Sequence, residues 1–119
     1  MVTAVTSLSR SGLSDWLVQR ITAVILLAFF VFVLVKAAGG VTYAEWSALF
    51  AQTWMKVFAL LAALSLAAHA WIGMWGVFTD YLTERLMGSR GNVLRIGLQL
   101  LTSLSLVIYV IWAVQIIWA

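Results

Sequence analysis

The chain has 119 residues, 65% of them hydrophobic, with seven Lys and Arg against four Asp and Glu and a net charge of +3. At a mean hydropathy of +1.08, a soluble domain this small has no interior able to hide that much apolar surface. The expected class is therefore an all-α membrane protein. With no cysteine, disulfides, iron–sulfur ligation and thiolate zinc are excluded within the chain. A basic excess this small, placed in loops, carries topology information and is no nucleic-acid footprint.

Up to about Asp15 there is no Lys/Arg cluster leading into an apolar run and no cleavage-like site. The first span is thus expected to direct its own insertion. That span is Ile21 to Ala38, dense in Val, Ile and Phe, with Lys36 at its end, where a long side chain can snorkel to the interface. Two glycines, Gly39 and Gly40, follow and can stop the helix. Thr42 and Glu45 have capping-box spacing, and Tyr43, Trp46, Leu49, Phe50 and Trp54 recur at helical intervals. The pattern predicts a short interfacial helix over about 43–54, its aromatic face toward lipid or serving as a belt anchor.

The second span runs from Val57 to Phe78 and carries His69, the chain's one histidine. Past it, Asp80, Tyr81, Glu84 and Arg85 open a charged loop with the turn cluster Gly88-Ser89-Arg90-Gly91-Asn92. The third span is Ile96 to Trp118. The three stretches hold 18 to 23 residues each, without proline, and roughly 20 helical residues cross a bilayer core. Arg10, Arg20, Arg85, Arg90 and Arg95 lie on one side of the predicted topology, and Lys36 and Lys56 on the other. Five against two predicts a cytoplasmic N-terminus and a periplasmic C-terminus, in one three-helix unit over 1–119.

An ionisable residue in the middle of a span is costly and points to function. At 100° per residue, Ala62, Ser65, His69, Gly73 and Gly76 share one stripe of α-helix. Two readings fit that stripe: close helix packing of the small-xxx-small type, or one wall for a flat macrocycle. The imidazole favours the second, because a packing seam gains little from it and it is a common haem ligand. A six-coordinate haem with two histidines then needs a second chain, since this one has a single imidazole. Asp80 lies eleven residues beyond His69 and returns to the same stripe near the boundary. Tyr81 beside it has a phenol able to donate to a quinone carbonyl; as a belt anchor it needs no such role. Arg20 can pair with a haem propionate or serve as a topology charge.

The run HAWIGMWGVFTDY from His69 to Tyr81 resembles the hydrophobic membrane anchor family of bacterial succinate dehydrogenase. So do Leu8-Ser9-Arg10-Ser11-Gly12, the segment from Asp15 through Arg20-Ile21-Thr22-Ala23, and Thr42-Tyr43 to Trp46. The resemblance implies a three-helix anchor paired with a second anchor subunit, of the cytochrome b type, around one shared haem b. It implies a flavoprotein and an iron–sulfur subunit on the cytoplasmic face, holding FAD and the clusters, and ubiquinone as electron acceptor in the bacterial inner membrane. It further implies His69 as haem-iron ligand, Arg20 near the propionates, and Tyr81 with Asp80 at the quinone site. Ser14 departs from the family, which has histidine there, so a haem-edge contact from that position does not carry over. The nearest alternative is a fumarate reductase anchor. A small multidrug transporter fits poorly, because Asp15, Glu45, Asp80 and Glu84 all fall outside the apolar spans.

Overall fold

The computed structural model describes residues 12–119, so Arg10 and the segment Leu8–Ser11 lie outside the described residues. Five helices follow in order: α1 Gly12–Ala38, α2 Tyr43–Ala51, α3 Thr53–Tyr81, α4 Glu84–Met87 and α5 Ser89–Ile117. Three of these, α1, α3 and α5, are long and apolar enough to cross a membrane. At 1.5 Å per residue the 29 residues of α3 run about 43 Å, which exceeds a hydrocarbon core of about 30 Å. The ends of the helix therefore reach the boundary regions, whereas His69 stays deep.

Each long helix is longer than the apolar run that announces it. The first begins at Gly12, more than two turns before Ile21, which moves Arg20 from the start of the helix to its third turn. Asp15 in this upstream part and Thr22 just beyond it are buried, a polar inner face that hydropathy alone does not detect. The third begins at Ser89, and Arg90 and Arg95 ride on its opening turns. The turn cluster is compressed into Gly88, whose φ of 70° lies in the left-handed region that favours glycine.

Helix α2 has the capping box expected of Thr42 and Glu45. The Glu45 N–H donates to Thr42 Oγ1 and the Thr42 N–H to Glu45 Oε2, both at 3.2 Å. The helix ends at Ala51, since Gln52 is extended (φ −69°, ψ 136°). Trp46 and Phe50 pack on each other with tilted rings, centroids 5.0 Å apart. Trp54 belongs to the first turn of α3, where it meets Phe32 of α1 edge to face at 5.9 Å.

The three long helices form an antiparallel row with α3 in the middle, packed against α1 on one flank and α5 on the other. Hydrophobicity does not drive helices together in lipid; close packing and polar contacts do. Against α1 the packing is aromatic at one end, with Phe58 edge-on to Phe29 and Phe32 at 5.3 and 6.0 Å. Toward the other end it becomes small and polar. The α3–α5 turn is tightly stitched: Arg95 donates to the Leu82 carbonyl at 3.4 Å, and Thr83 caps α4 by accepting from the Leu86 N–H. A cation near the last carbonyls of α3 also complements the helix dipole. Gly91 is buried there, and a Cβ on it would come within 2.5 Å of the Thr83 carbonyl oxygen.

Gly91→Ala is therefore expected to destabilise the chain by about 1–3 kcal/mol through overpacking against backbone that cannot yield. Unfolding titrated with SDS in mixed micelles checks this, with Gly97→Ala, where a Cβ meets nothing within 4 Å, as the neutral comparison.

Candidate functional site

His69 lies sixteen residues from the start of α3 and twelve from its end, about 18 Å by helical rise from Tyr81. Its side chain is half-buried. The seam with α1 sets its surroundings. Thr22 Oγ1 stands 3.1 Å from His69 Nδ1, and the side-chain nitrogen of Gln19, one turn earlier, lies 3.6 Å from where a Gly73 Cβ would be. The pairs Gln19–Gly73, Thr22–His69 and Phe29–Phe58 mark the antiparallel register, and all three α3 positions belong to one helical face.

That face is the stripe legible in the sequence, and the fold divides it in two. Ala62 and Ser65 are buried, as are Met55 and Ala59 farther along. This half is used up in packing within the chain, as the small-xxx-small reading holds. Beyond His69 the stripe opens. Gly73 is exposed, and among the described residues a Cβ on it would meet only the Gln19 side chain and a Cβ on Gly76 nothing within 4 Å. Bare space thus lies on one side of the histidine rather than on both.

The imidazole makes one hydrogen bond among the described residues, through Nδ1. Nε2 is left available as a donor or as a lone pair. Also among the described residues, no three His, Cys, Asp or Glu side chains gather to hold a metal ion. A metal bound here must bring most of its ligands with it or share those of another chain.

Arg20, next to Gln19 on α1, is at the depth of Gly73 and His69 but turned outward. Its guanidinium lies over the Trp16 ring, 4.6 Å from the centroid. Asp80 and Tyr81 occupy the last turn of α3, both exposed, Tyr81 at 66%. The backbone beneath them is closed by the Leu82 N–H donating to the Phe78 carbonyl at 3.0 Å. They are presented as helical residues at the helix end, with Asp80 continuing the histidine stripe and Tyr81 about 100° around from it.

A cavity of about 580 Å³ lies elsewhere, between the start of α1, the middle of α3 and α5, lined by Asp15, Val18, Ala68, Trp71, Ile72 and Leu106 among others. Its α3 residues flank the histidine stripe, with Ala67 and Trp71 about 160° around the helix from His69 and Ile72 about 60°. Trp71 and Trp75 pack on each other with tilted rings, centroids 5.2 Å apart, away from the histidine stripe. Ser14 also lines this cavity and is not among the partners of the imidazole.

Thr22 and Gln19 were not singled out by sequence reasoning. The signal was present: two hydrogen-bonding side chains, spaced by three on α1, fall at the depth of His69 once the first two spans are folded as an antiparallel pair.

Over residues 2–112 the sequence matches the family described as succinate dehydrogenase/fumarate reductase transmembrane subunit. It is 41% identical over 112 residues to a protein of Coxiella burnetii (strain RSA 493 / Nine Mile phase I) named succinate dehydrogenase hydrophobic membrane anchor subunit. That alignment covers 92% of this chain and 91% of the relative. Both comparisons span the α1–α3 seam, His69, Asp80 and Tyr81.

Proposed function

We propose that this chain, which belongs to the succinate dehydrogenase/fumarate reductase transmembrane subunit family, provides through His69 one axial ligand of a haem b shared with a second anchor subunit. It is a multi-pass membrane anchor. The observation that carries the reading is the environment of the imidazole. Its Nδ1 is engaged by Thr22 while Nε2 remains, half-buried beside the bare backbone of Gly73 and Gly76. A metal-ligating histidine typically has its second ring nitrogen held in this way.

A porphyrin brings four nitrogen ligands of its own and, when bound, supplies a one-electron redox centre. That suits a chain offering a single imidazole and no cluster of metal-ligating side chains among its described residues. A second imidazole for such a group would come from the second anchor subunit. Gly73 and Gly76 admit a flat ring edge close to the α3 backbone. Arg20 has the reach and charge to meet a propionate, at the cost of leaving Trp16.

At the end of α3 we assign Tyr81 and Asp80 to a quinone site. The phenol donates a hydrogen bond to a quinone carbonyl, and the adjacent carboxylate accepts and passes on protons as the quinone takes up two electrons and two protons. Both side chains are exposed, as a surface completed by another chain requires. In the assembly so read, the iron–sulfur and flavoprotein subunits, with their clusters and FAD, sit at this end. It is also the end of Arg85, Arg90 and Arg95, with Arg20 in the same half of α1, and hence cytoplasmic by the positive-inside rule. The periplasmic end carries α2. The bacterial inner membrane and the succinate-oxidising direction follow the named relative; the family itself includes fumarate reductases.

His69→Ala in the assembled complex is expected to abolish the low-spin b-type spectrum, and an unchanged spectrum would sink the ligand assignment. Tyr81→Phe should lower quinone reduction roughly three- to tenfold, the equivalent of one lost hydrogen bond. Succinate oxidation with an artificial acceptor should be unaffected. Equal loss of both activities would mean failed assembly instead of a quinone-site role.

A further inference from the structure

We propose that Thr22 is the positioning residue for the haem ligand: it accepts the Nδ1–H of His69, fixes the imidazole tautomer and so presents the Nε2 lone pair to iron. This rests on the haem reading above and adds a residue on a different helix to it.

The direction of the bond follows from counting protons. A threonine hydroxyl has one hydrogen to donate and two lone pairs with which to accept. Thr22 Oγ1 is 2.7 Å from the Val18 carbonyl and 3.2 Å from the Gln19 carbonyl, the back-bonded arrangement of a helical threonine. The contact to Val18 is the shortest of the hydroxyl's three and the natural place for its proton. With the hydroxyl proton on its shortest bond, the third neighbour, His69 Nδ1 at 3.1 Å, meets a lone pair of the hydroxyl, and Nδ1 carries the hydrogen in the tautomer we propose. A neutral imidazole with its proton on Nδ1 has its basic lone pair on Nε2. The opposite tautomer would turn an N–H toward the metal and prevent ligation.

Burial makes the arrangement durable. Thr22 is only 6% exposed, deep in a helix able to cross a membrane, where little water competes for either partner. The same contact ties α1 to α3 at the depth of the ligand, which restricts the ring's rotation. An acceptor on Nδ1–H also makes the imidazole a stronger donor to iron, which favours the ferric state. Losing the acceptor should thus raise the midpoint potential and weaken haem retention.

The test compares Thr22→Val, Thr22→Ser and His69→Ala in the purified complex. It reads haem content per complex, the midpoint potential by reductive titration, and the g-values of the low-spin ferric signal. Valine keeps the shape and removes the acceptor; serine keeps the acceptor. Thr22→Val is expected to weaken haem retention by about tenfold, the low end of the effect of losing such a partner, and to shift the potential upward with altered g-values. Thr22→Ser should restore all three. Wild-type potential and g-values in Thr22→Val overturn the proposal. So does a Thr22→Ser complex as impaired as the valine one, since the side chain would then matter only for packing. If Thr22→Val does not assemble, a wild-type potential in Thr22→Ser supports the proposal and a shifted one overturns it. Haem retained in His69→Ala would instead remove the ligand reading itself, so the two failures are distinguishable.

Discussion

The contact between Thr22 and His69 depends on a constraint that governs the whole chain. Inside a bilayer every polar group must find its partner in protein, because lipid offers none. An imidazole in the middle of a span is tolerable only where another helix meets it. The first helix does so by placing a threonine at the same depth, and the seam around that pair is shaped accordingly. Small residues let the backbones approach on one side of the histidine, and aromatic edges close the far end. The Thr22–His69 bond alone contributes on the order of 1 kcal/mol in a membrane setting. Its value lies in direction, since it decides which ring nitrogen remains for chemistry.

The division of the histidine stripe gives the ligand reading its shape. Ala62 and Ser65 are buried by this chain's own packing, so they cannot also form a wall for a cofactor. Gly73 and Gly76 can, because among the described residues only the Gln19 side chain comes near a Cβ placed on either. A bound ring would thus enter from the Asp80 end of α3, the same end at which Tyr81 and Asp80 are exposed. The haem and quinone roles, as proposed, occupy one half of one helix, about 18 Å apart along its axis. Most of the remaining apolar surface of the three helices faces outward, for lipid and for the other chains of the assembly.

Much of this was legible before folding. Three spans follow from apolar length, and the capping box from Thr42 and Glu45. His69 stood out because a titratable group in lipid demands a reason. The helix ends were less legible: Gly12–Gln19 and Ser89–Arg95 are helical although they carry Asp15, Arg90 and Arg95. Hydropathy reports where lipid begins, whereas helix extends wherever backbone hydrogen bonds can continue. Trp54 shares a period with the α2 aromatics, yet it falls beyond the break at Gln52 and packs on Phe32. Periodicity carries no record of a single extended residue.

What the sequence determined by itself is local: how many spans there are, which residue in them is too polar for lipid, and which small residues surround it. Those properties follow from composition and from the pitch of one helix. What only the tertiary structure decided is the partner. Thr22 lies 47 positions from His69, and no pattern along either helix states that the two meet. It is the antiparallel register of α1 on α3, settled by side-chain packing across the seam, that brings a hydroxyl to one nitrogen of the imidazole and leaves the other free.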